Sequence, residues 1–155
     1  MIISATGHRP NKLGGYSPQA FNRLVQVASS YLLEKSPAGV ISGLALGWDQ
    51  AWAMAALELA IPVHAAIPFE GQQLQWPGSS QALWEGIVAQ STSVTFVCAP
   101  GYAAWKMQKR NEWMVERCHR VAALWDGSAG GTGNCIKFAE QYPRPIDNLW
   151  ERFSR

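Results

Sequence analysis

Charge is scarce in this chain of 155 residues, with Asp, Glu, Lys and Arg together making up only 15%. Disordered tails and polybasic arms need far more. Neither sign dominates: 13 Lys+Arg against 11 Asp+Glu leave a formal net charge of +2. Nucleic acid is therefore not expected as a partner, because binding by phosphate neutralisation needs a basic surplus. Cysteine is equally sparse. Cys98, Cys118 and Cys135 form no CxxC pair, and His8, His64 and His119 are dispersed. A disulfide framework and a zinc site are both excluded by this spacing, and no metal or cofactor is expected. Cys98 ends an apolar run and is expected to be buried. No apolar run approaches the roughly 20 residues that cross a bilayer, so no membrane partner is expected. The start MIISATGHRP lacks a basic leader and cleavage site, which points to a cytoplasmic location.

What the chain does have is apolar material, 48% of its residues, and eight tryptophans. That suits one domain over residues 1–155 with a substantial core. Most of the tryptophans are expected in the core or in a homodimer interface. Trp76, in QLQWPGSS, and Trp48, in a glycine-rich turn, are kept as ligand candidates.

Short apolar runs alternate with helical patterns, as in a parallel sheet covered by helices. Met1 to Ala5 reads as the first strand. Ser17-Pro18 supplies a helix start, and Phe21, Leu24, Val25, Ala28 and Leu32 form its apolar stripe. Val40-Ile41 is a second strand, followed by the turn SGLALGWD and a helix through Ala60. Val63 to Ile67 is the third strand. A helix near Gln81 to Ala89 precedes a strand from Val94 to Ala99. Tyr102 to Arg117 reads as a loop running into a helix. Val121 to Trp125 is the next strand, then DGSAGGTGN and a helix carrying Ile136, Phe138 and Ala139. RPIDNLWERF adds a short edge strand. The fold class is α/β, a three-layer α/β/α Rossmann-like domain with a mainly parallel sheet. In such sheets the ligand crevice lies at the carboxyl ends of the strands.

Four constellations follow strands or lie beside them. In Thr6-Gly7-His8-Arg9-Pro10, Gly7 lets backbone approach a ligand, His8 stands beside it, and Arg9 offers a fork for phosphate; the alternative is a tight turn with a surface arginine. In the turn from Ser42 to Asp49, Ser42, Gly43 and Gly47 could approach a phosphate or sugar, and Asp49 could hold hydroxyls or simply cap the next helix. In MQKRNEWM, Arg110 and Met114 share a helix face with Met107 one turn earlier, which suits a ligand with an anionic and a flat part. The alternative is methionines packing in the core. From Asp126 to Asn134, four glycines lie between a strand and a helix. Gly130, Gly131 and Thr132 would cradle a phosphate at the helix start, and Asn134 would cap it.

These motifs, in the order TGHRP, KLGGY, SGLALGWDQ, PFEGQ with Trp-Pro, MxxRNxWM and WDGSAGGTGN, resemble the SLOG superfamily of Rossmann-like nucleotide-ligand domains. The resemblance runs from Ile2 to about Ala139, and its nearest branch is the YpsA-like group of small phage and bacterial members. SGLALGWD also looks like the SGLA-x-GID segment of DprA. MQKRNEWM and GGTGN are similar to the arginine-bearing helix and PGGxGT loop of the Lonely-guy phosphoribohydrolases. In those enzymes the loop continues to a glutamate that helps cleave the N-glycosidic bond. Here Asn134 stands where their threonine sits, Lys137 where their glutamate would be, and Asn111 replaces the lysine beside the arginine matched by Arg110.

The resemblance implies a nucleotide or nucleotide-derived small molecule as ligand, and a homodimer. The first reading is a sensor or binding module. The second is hydrolysis or transfer at the N-glycosidic bond of a nucleoside 5′-monophosphate, with Asp126, Asp49 or Glu112 as the carboxylate and Arg110 holding phosphate. A third is single-strand binding like that of DprA, which would need a basic groove with stacking aromatics.

Overall fold

The computed structural model describes residues 1–155. Six strands form one all-parallel sheet: β1 Ile2–Gly7, β2 Gly39–Ser42, β3 Val63–Ile67, β4 Ser93–Phe96, β5 Arg120–Leu124 and β6 Ile146–Asn148. Their spatial order is β4-β3-β2-β1-β5-β6. The chain therefore winds outward one way from β1 through β4, then returns to the centre and winds the other way. That reversal lies between β1 and β5, and in such sheets a ligand crevice lies at the carboxyl ends of the strands beside it.

Helices cover both faces. On one side lie α1 Pro18–Lys35, α2 Trp48–Glu58, α3 Gly78–Gln90 and the short α6 Trp150–Ser154; on the other lie α4 Ala104–Glu116 and α5 Gly131–Gln141. Alternation along each strand divides the core. Ile3, Ala5, Val40, Val63, Ala65, Ile67, Ala122 and Leu124 face the first layer, whereas Ile41, Ala66 and Val121 face the second. The helix α1 starts where Ser17 Oγ accepts the amide of Ala20 at 3.1 Å, with Pro18 in the first turn. It ends at Ser36, whose φ of 47° is left-handed. Eight of the 11 residues of α2 are buried, because alanines let it lie close between α1 and the sheet. No helix is long and apolar enough to cross a membrane.

Three details depart from the sequence reading. The fourth strand stops at Phe96 rather than Ala99. It is an edge strand with Val94 38% and Phe96 51% exposed, and Cys98 beyond it is half-buried, not enclosed. Trp48 is fully buried, packed at 6.0 Å from the ring of Trp52 and donating its indole N–H to Ala122, so it is a core residue. The helix α6 was not foreseen. Its five residues follow the expected edge strand and dock on α1 through an Arg152–Glu34 pair at 2.7 Å.

Candidate functional site

The loop after β1 and the glycine loop after β5 meet across the switch point. Together with α2 and α4 they enclose a cleft of about 370 Å³. Its floor carries two buried charged side chains, Arg110 and Asp49. Arg110, on α4 and only 3% exposed, donates Nη1 to the carbonyl of Gly43 at 2.6 Å and Nε to Asn111 Oδ1 at 2.9 Å. Its Nη2 has no protein partner. Asp49, 5% exposed in the first turn of α2, lines the same cleft, and its Oδ1 is buried with no hydrogen bond. Burial pushes the Asp49 carboxyl up from its usual range, opposed by the charges of Arg110 and Arg9. Burial likewise pulls the Arg110 guanidinium down, opposed by Asp49. A buried polar atom without a partner costs roughly 1–3 kcal/mol, so such a group normally meets water or a ligand.

The opposite wall is the start of α5. Gly130 has a φ of 143°, a left-handed value that favours glycine, and no side chain caps the helix. The first intrahelical bond is from the amide of Asn134 to the carbonyl of Gly130 at 2.9 Å. The amides of Gly131, Thr132 and Gly133 are therefore open, and these residues line the cleft. Open amides at the positive end of a helix attract an anion. Arg9 and Lys12 line the cleft from the β1 side.

His8 and Asp126 lock the two loops together. His8 Nε2 lies 2.9 Å from Asp126 Oδ1, and Lys12 Nζ reaches Ser128 Oγ at 2.7 Å. Asp126 Oδ1 also accepts from the backbone N–H of Ser128 at 2.9 Å and its hydroxyl at 2.5 Å. The bonds from Ser128, with a smaller contribution from His8, hold the Asp126 carboxyl well below the ordinary carboxylate range. This carboxylate is a loop tie, outside the cleft lining.

A second hollow, of about 950 Å³, adjoins the first and shares Arg9, Met107, Asn111 and Gly131 with it. Trp76 and Asn134 line this second lobe. The structure thus brings Gly7, His8, Arg9, Asp49, Arg110 and the Gly130–Thr132 turn to one cleft, with Trp76 and Asn134 beside it. Ser42, Gly43 and Gly47 do not line it. Ser42 is fully buried, donating to the carbonyl of Asp49 at 2.7 Å, and Gly43 makes room for the Arg110 guanidinium. Gly47, with φ of 92°, lets the chain pass the carbonyl of His8. Glu112 also lies off the cleft, its carboxylate 3.4 Å from Gln108 Nε2. Sequence reasoning missed Asn111, whose side chain braces Arg110, and Lys12, which the KLGGY motif contained. No group of three His, Cys, Asp or Glu side chains is placed to hold a metal ion.

A family model described as the YspA SLOG family matches residues 3–144. Among curated proteins, the chain is 28% identical over 137 residues to the uncharacterized SPbeta prophage-derived protein YoqJ of Bacillus subtilis, covering 77% of this chain and 80% of YoqJ. It is also 28% identical over 153 residues to a UPF0398 protein of Bacillus pumilus, covering 91% of this chain and 82% of that one. Among solved structures, DprA of Streptococcus pneumoniae superposes with a TM-score of 0.69 at 23% identity, over 93% of this chain and 48% of DprA. The chain thus spans about half the length of that protein. DprA of Helicobacter pylori, described for its single-stranded DNA binding mode, gives 0.67 at 17% identity, over 94% of this chain and 63% of that one. TM1055 gives 0.62 at 15%, over 99% of this chain and 79% of its own. At these identities the structural likeness speaks for the fold.

Proposed function

Because the chain belongs to the YspA SLOG family, we propose that it binds a phosphorylated small molecule, a nucleotide or nucleotide derivative, across the carboxyl ends of β1 and β5. The carrying observation is that Gly131, Thr132 and Gly133, whose amides have no intrahelical partner, and Asp49, whose buried Oδ1 has no hydrogen bond, line one cleft. Phosphate oxygens accept from the amides of Gly131, Thr132 and Gly133 and from Arg110 Nη2. Arg9 and Lys12 supply further charge at the mouth. Asp49 meets a hydroxyl of the ligand, which satisfies its orphaned oxygen. In this role the chain is a single-domain ligand-binding module or sensor of the cytoplasm. Pairing with a second copy, to which the exposed β4 edge with Val94 and Phe96 lends support, belongs to the same reading.

Titration calorimetry with inorganic phosphate and nucleoside 5′-monophosphates tests this, with Arg110→Ala as the control. A charge-assisted contact is worth roughly 1.5–3 kcal/mol, so Arg110→Ala lowers affinity about ten- to a hundredfold. Unchanged affinity in that variant removes Arg110 from the site. Single-stranded DNA belongs in the same titrations, since the Helicobacter pylori relative is described as binding it. A steeply salt-dependent affinity for DNA alone would replace the small-molecule reading.

A second reading, N-glycosidic hydrolysis, is favoured by one observation. Of the three candidate carboxylates, Asp49 alone lines the cleft, and burial raises its proton affinity. Base released from a nucleoside 5′-monophosphate by the wild type and abolished in Asp49→Asn would support it. Release that survives Asp49→Asn would exclude this mechanism.

A further inference from the structure

A hollow of about 350 Å³ lies beyond the carboxyl ends of β5 and β6 and shares no lining residue with the cleft or its second lobe. Two indoles, Trp125 and Trp150, and two carboxylates, Asp126 and Glu151, line it together with Gly127 and Asn148; no Lys or Arg does. One side chain fixes the frame. Asn148 Oδ1 accepts the amides of Trp125 and Trp150, both at 3.2 Å, and Nδ2 donates to the carbonyl of Trp125 at 3.0 Å. The rings are held as well. Trp125 donates Nε1 to the carbonyl of Ser128 at 2.8 Å, and Trp150 packs 5.3 Å from Phe153 and edge-on to His8 at 6.0 Å. Both tryptophans nevertheless stay half-buried. The carboxylates are only partly used. The hydrogen bonds of Asp126 to His8 and Ser128 all engage Oδ1, whereas Oδ2 has only Lys12 Nζ at 3.8 Å. Glu151 has only Arg155 at 3.9 Å, an exposed and loose pair.

We infer that this hollow binds a small organic cation, a quaternary ammonium or guanidinium compound. A cation over an indole face is attracted by the negative charge density of the ring, and carboxylates beside the ring add their own attraction. Two negative groups with no positive group among the lining residues repel an anion, so the hollow is not a second phosphate site. A metal ion is equally unsuited. No three His, Cys, Asp or Glu side chains gather to hold one, and an indole is no ligand for it. The occupant must therefore present apolar surface to the tryptophans and positive charge to Asp126 Oδ2 and Glu151. A neutral sugar would stack on the rings and leave both charges unanswered. The assignment stands apart from the ligand of the cleft, since no residue is common to the two.

Proton–nitrogen NMR of the full chain tests the site, because the indole N–H signals report each tryptophan separately. The probes are choline, its uncharged tert-butyl isostere, agmatine and glucose. Choline or agmatine shifts the signals of Trp125 and Trp150 and binds about threefold or more tightly than the isostere. Added salt reduces that advantage, because the carboxylates are exposed to solvent. Glu151→Gln, at an exposed position that does not disturb the fold, lowers cation affinity about two- to fivefold. Trp150→Leu removes most of the binding, and Trp150→Phe, which keeps a ring, retains it. Equal binding of the cations and the isostere, or binding of glucose in their place, overturns the cation assignment. Cation binding unaltered by both Glu151→Gln and Trp150→Leu lies elsewhere on the protein and overturns the site. Absence of any shift with every probe overturns it too, and none of these results bears on the anion cleft.

Discussion

Replacing Gly43 by alanine adds one methyl group, and the site converts that methyl into a displaced charge. Gly43 has no left-handed φ, so its backbone accepts a side chain without strain. The space is the obstacle. A Cβ there would sit 2.4 Å from Arg110 Nη1, 2.6 Å from Cζ and 2.9 Å from Nε. Ordinary contacts lie at about 3.5–4.0 Å, so the guanidinium must move by roughly 1 Å. Three of its atoms are overlapped at once, so the whole guanidinium must shift. Movement breaks the 2.6 Å bond from Nη1 to the Gly43 carbonyl. A hydrogen bond to a charged group contributes about 1.5–3 kcal/mol, and that is the stability loss expected in urea melts. The open side of the guanidinium is the cleft, so the displaced group also intrudes on the ligand.

Calorimetry with a nucleoside 5′-monophosphate should therefore show affinity falling about ten- to a hundredfold in Gly43→Ala. The double variant Gly43→Ala/Arg110→Ala isolates the cause. With the guanidinium gone the new methyl has room, so the double variant should bind and melt like Arg110→Ala alone. Groups in direct contact are expected to be non-additive in this way. Wild-type binding and stability in Gly43→Ala, or losses in the double variant equal to the sum of the single losses, would refute the reasoning.

Three further outcomes follow from the geometry. In Gly7→Ala the new Cβ would lie 2.5 Å from the fully buried Trp48 ring, and overpacking of this kind costs about 1–3 kcal/mol, to be read in urea melts. Asp126→Asn should lower stability at pH 7 but less so at pH 3. The depressed carboxylate stabilises the fold above its ordinary value of 3.8, and that contribution is lost as pH falls below it; an equal deficit at both pH values would contradict this. Burial pushes the Cys135 thiol from 9.0 up to about 11, so its contribution to stability is complete below pH 9 and lost as pH rises through 11. A thiol reagent at pH 8 should label the half-buried Cys98 first and reach Cys118 and Cys135 only on unfolding; equal rates for all three would contradict the burial argument.

The fold was legible because its signals are local and repeated. Buried parallel strands must be short apolar runs, and Ser17-Pro18 announces a helix by capping chemistry alone. The misreadings fall where a long-range fact decides. Val94 to Ala99 is apolar enough for a central strand, yet β4 lies at the sheet edge, and edge position depends on where every other strand goes. The helix α6 is only five residues long and holds through α1, as when Arg152 pairs with Glu34, so no local periodicity could announce it.

The glycines of the site show the same division more sharply. A glycine at a strand end signals that something approaches the backbone closely, but the sequence does not say what. At Gly130 the requirement is conformational, a left-handed φ at the start of α5, and the amides beyond it are left open to the cleft. At Gly7 and Gly43 the approaching group is a side chain of the protein itself, Trp48 in one case and Arg110 in the other. Both kinds of glycine serve the same site by different routes. Gly43 admits the guanidinium to the cleft floor, where the carbonyl of Gly43 and Asn111 hold it with one nitrogen unpaired. Gly7 lets α2 close on β1, which brings Asp49 to the cleft with an oxygen unpaired. A glycine motif in such a sheet can thus mark a ligand site through the charged groups that it allows the protein to bury there, without touching the ligand at all.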